Sequence, residues 1–445
     1  MSSDAWLYRF ECKGIQSWIL ATDRLRDLKG GSTIIEELAD EARKRAVALQ
    51  AKVHSTAAGG GELEFSSFEA LQSFASEWPM FVSDFAPGLQ MVQAWIPPGA
   101  EPTRLYERLG AARNHADPML PEVGPWVARS GRTGRAAIGT GAGRTLEDEA
   151  SRRKQDAASR DPLSRIVADI SLEDDYDRWP SPYVAVVHAD GNRVGERVQG
   201  FLDPGRKAQF ARALSGCTRD AFKHALEALV VKGHGTRTKV PARPIVVGGD
   251  DMTIVIEAQH GVAFTHDYLA EFQACAAKSP LTEGLTASAG IAFVKSGYPF
   301  HRAYKLSERL CKWAKRDLPG KSALRFVRLT SALDRGEERR DPTRGSFALD
   351  EIPRLEKLTR LVDELPRGTL RRWLGMVIED PKRAENLWAR LVEVNESAMT
   401  EVGTALEGLR PADTIAARDV RTPLADALTW TRMHRDSEGR LWRAE

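Results

Sequence analysis

The strongest constraint on this chain is a pair of apolar strand patterns that each run into carboxylates. "YVAVVHADGNRVGERV" begins at Tyr183, and "PIVVGGDDMTIVI" begins at Pro244. Such dense Val, Ile and Ala reads as buried strand. Each stretch reaches glycine and aspartate where the chain must turn, at Asp190–Gly191 and at Gly248–Gly249–Asp250–Asp251. Clustered charge at a strand edge is costly unless something positive neutralises it. A Gly-Gly-Asp-Asp run is also ordinary hairpin-turn chemistry, and A-D-G is an ordinary strand ending. The two in this order, each behind a buried-looking strand, are more specific. If the strands are neighbours in one sheet, Asp190, Asp250 and Asp251 converge at one edge. Hard oxygen donors so placed suit Mg²⁺ or Mn²⁺, which keep positions open for phosphates. Gly248 and Gly249 would let the backbone turn tightly and a triphosphate approach closely.

Around these strands the order is strand, helix, hairpin, helix, strand, helix, which suits a helix-backed sheet containing an antiparallel hairpin. The N-terminal part runs similarly. A strand from Trp6 to Cys12 meets a turn at Gly14, and Ile15, Trp18, Ile19, Leu25 and Leu28 follow at helical spacing. Gly30–Gly31 is expected to break that helix, with Ser32 capping the next. "AAGGGELEF" reads as a hairpin and "LQMVQAWIP" as a further strand. The two parts align as copies, "LYRFECKGIQ" with "VAVVHADGNR" and "AAGGGELEF" with "VVGGDDMTI". Lys13 then falls opposite Asp190, Glu62 opposite Asp250 and Leu63 opposite Asp251. A duplication with one silenced site explains this. Residues 127–180, rich in Gly and Arg, read as a flexible or solvent-facing connector ending in a polar helix. Beyond residue 347, Ile352, Leu355, Leu358, Val362 and Leu365 share one helical face, and Trp373, Val377, Leu387, Leu391 and Val394 continue the theme. The expected division is therefore 1–126, 127–180, 181–346 and 347–445, within the two to four domains that 445 residues allow at roughly 100–200 each.

Composition narrows the function. Lys and Arg number 64 against 62 acids, a net charge of +2, so any nucleic-acid surface is local. One such concentration is Arg302, Lys305, Arg309, Lys312 and Arg316 around Lys315, which could neutralise phosphates or coat a solvated face. Cys12, Cys217, Cys275 and Cys311 stand far apart without a C-x-x-C pair, which argues against a zinc ribbon or disulfide framework and fits a reducing cytosol. The first residues show no signal-peptide pattern. No stretch approaches about 18 uncharged apolar residues, so a cytoplasmic protein without a membrane span is expected. "GTGAGRT" at 139–145 lacks the Lys spacing and preceding strand of a phosphate loop and reads as linker. His188 reads as a satisfied strand histidine. Trp373, Trp388, Trp430 and Trp442 read as helix packing.

With "TASAGIAFV" and "LSERLCKWAKRDLPGKSALRF", the two carboxylate-bearing stretches resemble the palm domain of nucleotidyl cyclases and polymerases. The resemblance is strongest to the large polymerase/cyclase subunit of type III CRISPR effector complexes. "GIQSWILATDRLRDLKGGSTIIEEL" is similar to the opening of that family's first, inactive palm. The resemblance implies an α+β fold of two ferredoxin-like palm domains, the first degenerate and the second catalytic, plus a C-terminal helical domain. It also implies ATP-dependent synthesis of cyclic oligoadenylate by 3′–5′ phosphodiester formation. Carried over, Asp190, Asp250 and Asp251 would hold Mg²⁺ or Mn²⁺. Gly191, Asn192, Gly248, Gly249, Lys315 and Lys321 would border the nucleotide. The partners implied are ATP or another NTP, with RNA or protein subunits of a CRISPR-like complex; a homo-oligomer stays open. The chain departs from the family in three places. It lacks the nuclease domain with its His-Asp pair, the only "HD" being His266–Asp267 in a helix. The zinc-binding cysteines between the palms are missing. Asn192 stands where an acid is common. Two other readings remain: a dinucleotide cyclase of the GGDEF kind, although Met252 replaces the usual Phe, and a non-catalytic scaffold subunit that binds RNA or sister subunits.

Overall fold

The computed structural model describes residues 5–22, 24–57, 59–114, 124, 126–141, 145–160, 179, 181–201, 203–231, 240–329, 345–407, 409 and 417–433. The chain forms two compact units, Met1–Ala168 with Val198–Arg212, and Asp169–Arg197 with Ala213–Glu445.

The first unit opens with β1 (Trp6–Lys13), α1 (Ile15–Ile19) and α2 (Leu25–Ala48). The hairpin β2 (Lys52–Ala57) and β3 (Gly60–Phe65) follows, then α3 (Phe68–Phe85) and β4 (Gln90–Ile96). The strands lie in the order β2-β3-β1-β4, every neighbour antiparallel. This is the βαββαβ ferredoxin-like arrangement. Alternation along β1 sends Tyr8 and Phe10 to one face, where they meet Phe74 and Trp78 of α3. Leu7 points the other way and joins Val92, Ala94 and Ile96 under Leu105 and Leu109 of α4 (Thr103–Asn114).

Two expectations for this unit change. The helix does not break at Gly30–Gly31: α2 runs through both, and the interruption falls at residues 20–24 instead. The glycines serve close packing, because a Cβ on Gly30 would lie 1.6 Å from the Lys154 carbonyl oxygen. Nor is the connector flexible over its described part. A short hairpin of β5 (Gly139–Thr140) and β6 (Leu146–Glu147) leads into α5 (Glu149–Ala157). Asp148 caps α5 by accepting from the Ser151 amide at 3.0 Å, and α5 packs on α2. Lys154 is buried and donates to the Trp18 carbonyl. Arg135 donates to the Pro87 carbonyl at 3.0 Å. Arg135 thus satisfies backbone carbonyls, while Arg152, Arg153 and Arg160 pair with the carboxylates of Glu149, Asp84 and Glu37 and stay partly exposed. "GTGAGRT" spans that hairpin, with 142–144 outside the described residues. Residues 161–178 and 180 of the connector also lie outside them.

The chain then runs β7 (Tyr183–Gly191), α6 (Val194–Gln199), α7 (Pro204–Val231), β8 (Ala242–Gly248), β9 (Asp251–Glu257), α8 (Gly261–Ala276) and β10 (Ala287–Lys295). The strand order β8-β9-β7-β10 repeats the first sheet. It is extended by α9 (Phe300–Asp317), by β11 (Ala323–Arg328) parallel to β10, and by β12 (Ser346–Ala348). Five helices complete the second unit: α10 (Ile352–Glu364), α11 (Arg367–Glu379), α12 (Pro381–Val394), α13 (Glu396–Glu407) and α14 (Ala417–Met433). The expected face of Ile352, Leu355, Leu358, Val362 and Leu365 is buried, with α10 packed on α13 and α14. The Trp373 and Trp388 rings lie 4.7 Å apart and Trp430 is buried, so these three pack helices. Trp442 lies outside the described residues.

Candidate active site

β7 is the middle strand that brings the acids together. Its ladder with β9 ends at Ala189–Met252, so Asp190 and Asp251 are the next residues outward, side by side. The β8–β9 hairpin closes at Gly248–Asp251, leaving Gly249 and Asp250 as its turn. Gly249 has φ +63°, at the first central position where a primed hairpin turn takes glycine. One carboxylate oxygen from each of Asp190, Asp250 and Asp251 lies within 4.8 Å of the others, and all three side chains are half-buried. Burial, then the nearby Asp190, pushes Asp250 up to about 6. Burial, then Asp190 and Asp250, pushes Asp251 up to about 8.

The predicted neighbours separate into those at the cluster and those beside it. Lys315, on α9, donates to Asp190 Oδ2 at 2.5 Å and to the Gly191 carbonyl at 2.8 Å. A Cβ on Gly191 would come within 3.0 Å of Asp250 Cβ, so the bare backbone there lets the turn close in. Gly248 and Gly249 have open space where a Cβ would stand. Asn192 is buried, and its amide is spoken for. It donates to Thr286 Oγ1 at 2.8 Å and to the Lys321 carbonyl at 2.9 Å, and accepts from Ser288 Oγ at 3.0 Å. Asn192 therefore pins the loop after β7 rather than presenting a ligand. Lys321 is exposed and contributes that carbonyl, while its charge acts on the Glu351 carboxyl. His188 is buried, 3.1 Å from Thr253 Oγ1, and desolvation lowers it to about 4, as a satisfied strand histidine should be. His266 and Asp267 lie 3.1 Å from one another on α8.

Thr218 went unnoticed in the sequence. It is fully buried on α7 and donates to the Gly249 carbonyl at 2.7 Å, holding the turn from below. The signal was available: Phe210, Leu214, Phe222 and Leu226 step along one face of α7, and Thr218 fills the missing position with a hydroxyl.

The strand registers also correct the alignment of the two copies. In the first sheet Gly60 follows the hairpin and pairs with Glu11, as Asp251 follows its hairpin beside Asp190. Three residues beyond Glu11 and Asp190, Gly14 and Arg193 both take positive φ, +59° and +57°, before a helix. Glu11 thus occupies the place of Asp190, Lys13 that of Asn192 and Gly60 that of Asp251. Glu62 and Leu63 fall further along the strand. The two windows slide past one another because both hairpins carry runs of glycine.

Residues 183–325 match the family description "Cas10/Cmr2, second palm domain". The second palm is of the Cas10/Cmr2 kind. No match was found among curated protein sequences. The likeness in fold extends well beyond this Cas10-type palm. The Csm1-Csm4 cassette in complex with cA4 superimposes with a TM-score of 0.59 at 15% identity, covering 97% of this chain and 70% of that one. Csm1 in T. onnurineus gives 0.61 at 14% identity over 97% and 70%. The Csm1-Csm4 cassette in complex with pppApA gives 0.61 at 14% over 96% and 69%. Two palms with a helical region are thus the architecture these chains share. Among the described residues no helix is long and apolar enough to cross a membrane.

Proposed function

We propose that this chain is a metal-dependent nucleotidyltransferase that joins ATP into a cyclic oligonucleotide signal, in antiviral defence. The observation that carries the proposal is the meeting of Asp190, Asp250 and Asp251 within 4.8 Å at the edge of a Cas10-type palm. The donor set fits Mg²⁺ or Mn²⁺: three hard carboxylates, half-buried, whose mutual repulsion an ion would relieve. Bound there, a divalent ion lowers the pKa of an attacking ribose hydroxyl and stabilises charge on the transferred phosphate.

The chain's own residues supply position and charge. Asp190, Asp250 and Asp251 approach from neighbouring backbone segments and bring one carboxylate oxygen each to a common place. The open backbone of Gly248–Gly249 admits the triphosphate. Lys315 carries its ammonium at the cluster edge, within reach of a phosphate oxygen. Thr218 and Asn192 hold the turn and the loop in register, so little reorganisation accompanies the reaction. Lys321 adds positive charge on the rim. Solved structures similar in fold carry cA4, pppApA or ATP beside Csm4. By that analogy the partners proposed here are ATP and sister subunits of a CRISPR-like complex; the sequence resemblance adds RNA, a cytoplasmic location and a catalytic palm spanning residues 181–346.

The test is incubation with each NTP and Mg²⁺ or Mn²⁺, with products identified by mass. ATP is expected to give cyclic oligoadenylate, and Asp250→Asn with Asp251→Asn to abolish turnover. Unchanged turnover in that double variant would refute the assignment.

A further inference from the structure

Lys315 must hold its ammonium at the acid cluster, yet it is a long, rotamer-rich side chain on a helix. What seats that turn of α9 is a buried arginine on the next strand. Arg325 of β11 is 1% exposed, between the buried Leu324 and Phe326. Its Nη1 donates to Asp317 Oδ2 at 3.0 Å and to Ser346 Oγ at 3.3 Å. Ser346 Oγ in turn donates to Asp317 Oδ2 at 2.7 Å. The guanidinium lies 5.3 Å from the centre of the Trp313 ring. Trp313 and Asp317 flank residue 315 by two positions on either side, so one side chain grips the helix before and after Lys315. Burying a guanidinium costs several kcal/mol, and a well-packed apolar residue would often stabilise as much. A buried pair is therefore weak as a stability device, and fixing geometry is a use that an apolar residue cannot supply.

Resting on the functional reading above, we infer that Arg325 is a positioning residue. Through Trp313, Asp317 and Ser346 it sets the turn of α9 that presents Lys315 to Asp190 and to the substrate phosphates. Arg325 itself touches no reacting atom and acts only through Lys315.

The test is a double-mutant cycle of Arg325→Met and Lys315→Ala in the full chain, read two ways. The first readout is kcat and KM for ATP with Mn²⁺. The second is the affinity for Mn²⁺ with an ATP analogue whose α,β-bridging oxygen is replaced by a methylene, which cannot release its pyrophosphate and so needs no turnover. Each single change is expected to lower kcat/KM roughly 10–100-fold and to weaken binding, the loss that follows about 1 Å of misplacement. The double variant should be no worse than Lys315→Ala alone. Arg325→Lys should recover only part of the loss, because it keeps the charge without the planar fork. If Arg325→Met fails to fold, Ser346→Ala removes the two hydroxyl bonds to Arg325 and Asp317 and Trp313→Leu removes the aromatic face, and their effects should vanish in the Lys315→Ala background. Effects that multiply in the double variant, or losses confined to thermal stability, overturn the assignment. Absence of turnover in the unaltered chain would count against the proposed function, while the binding cycle still decides the role of Arg325.

Discussion

Gly290→Ala should cost both stability and activity, although the change adds one methyl to a buried strand. Gly290 sits on β10 opposite His188 of β7 and Arg325 of β11. A Cβ there would lie 2.0 Å from the Ser307 carbonyl oxygen, 2.5 Å from the Cys311 nitrogen and 2.7 Å from Leu310 Cβ. All three belong to α9, and two are backbone atoms that no rotamer change can move. Real Cβ contacts essentially never fall under 3.0 Å, so α9 must retreat by about 1 Å. Two terms oppose each other. Loss of glycine's freedom in the unfolded chain favours the variant by about 0.4–1 kcal/mol. Overpacking costs about 1–3 kcal/mol, and more when backbone must shift. The steric term wins, leaving a net loss of about 1–2 kcal/mol and a fall in Tm of roughly 2–8 °C. Lys315 follows Cys311 by one turn, so the same retreat draws its ammonium away from Asp190. Turnover of ATP should then fall on the order of 10²-fold. Calorimetry and product mass analysis on the same preparation check both. A variant as stable and as active as the parent would show that α9 does not rest on β10 as described.

Gly30→Ala separates two roles for the glycine pair. A helix breaker replaced by alanine would stabilise α2 by about 1 kcal/mol. Close packing against Lys154 instead predicts destabilisation, read from the midpoint of urea unfolding. The acid cluster should also give a pH signature. Asp250 at about 6 and Asp251 at about 8 bind protons more tightly folded than at the ordinary 3.8. The folded state therefore holds more protons between roughly pH 4 and 8, and metal-free stability declines as pH rises through that window. Saturating Mg²⁺ should flatten the slope, and Asp250→Asn with Asp251→Asn should remove it. An identical slope in that variant would discard the cluster as its source. Thr218→Val keeps the volume but loses the bond to the Gly249 carbonyl. About 1 kcal/mol of stability and several-fold in Mn²⁺ affinity should go with it, measured by titration calorimetry.

The sequence displayed what depends on short-range pattern. Strands β7, β9 and β10 were visible because Val, Ile and Ala run together between turn residues, and the convergence of Asp190 with Asp250 and Asp251 followed from supposing β7 and β9 adjacent. What escaped depends on contacts between distant segments. Gly30–Gly31 carries the same local signal whether it breaks a helix or admits a neighbour, and the neighbour, α5, lies more than a hundred residues away. Arg135 of the connector resembles solvated charge until its partner, the Pro87 carbonyl, is in place. Asn192 reads as a nucleotide neighbour standing where an acid is common, but Thr286, Ser288 and Lys321 claim its amide from two separate segments.

The two palms differ in charge rather than in fold, and that difference is what supports placing the proposed site in the second. Both have the same strand order, the same hairpin and the same left-handed residue before a helix. At the first, Glu11 retains an acid in the place of Asp190, but Arg9 holds it at 2.9 Å and Arg113 contacts it as well. Glu62, further along, takes Arg9 at 2.9 Å and the Tyr106 hydroxyl at 3.1 Å. Those acids are neutralised from within, and Gly60 brings no third carboxylate. At the second, among the described residues, three acids meet the ammonium of Lys315. Full ionisation leaves two negative charges in a half-buried space, which no chain of ordinary stability carries without compensation. The raised Asp250 and Asp251 record that imbalance. Protons offset it in part, and under the proposed function one divalent ion would supply two compensating charges with hard-oxygen preference. Exchanging Gly59 and Gly60, in the places of Asp250 and Asp251, for aspartate is therefore expected to give the first palm no metal site, because Arg9 and Arg113 would still hold Glu11.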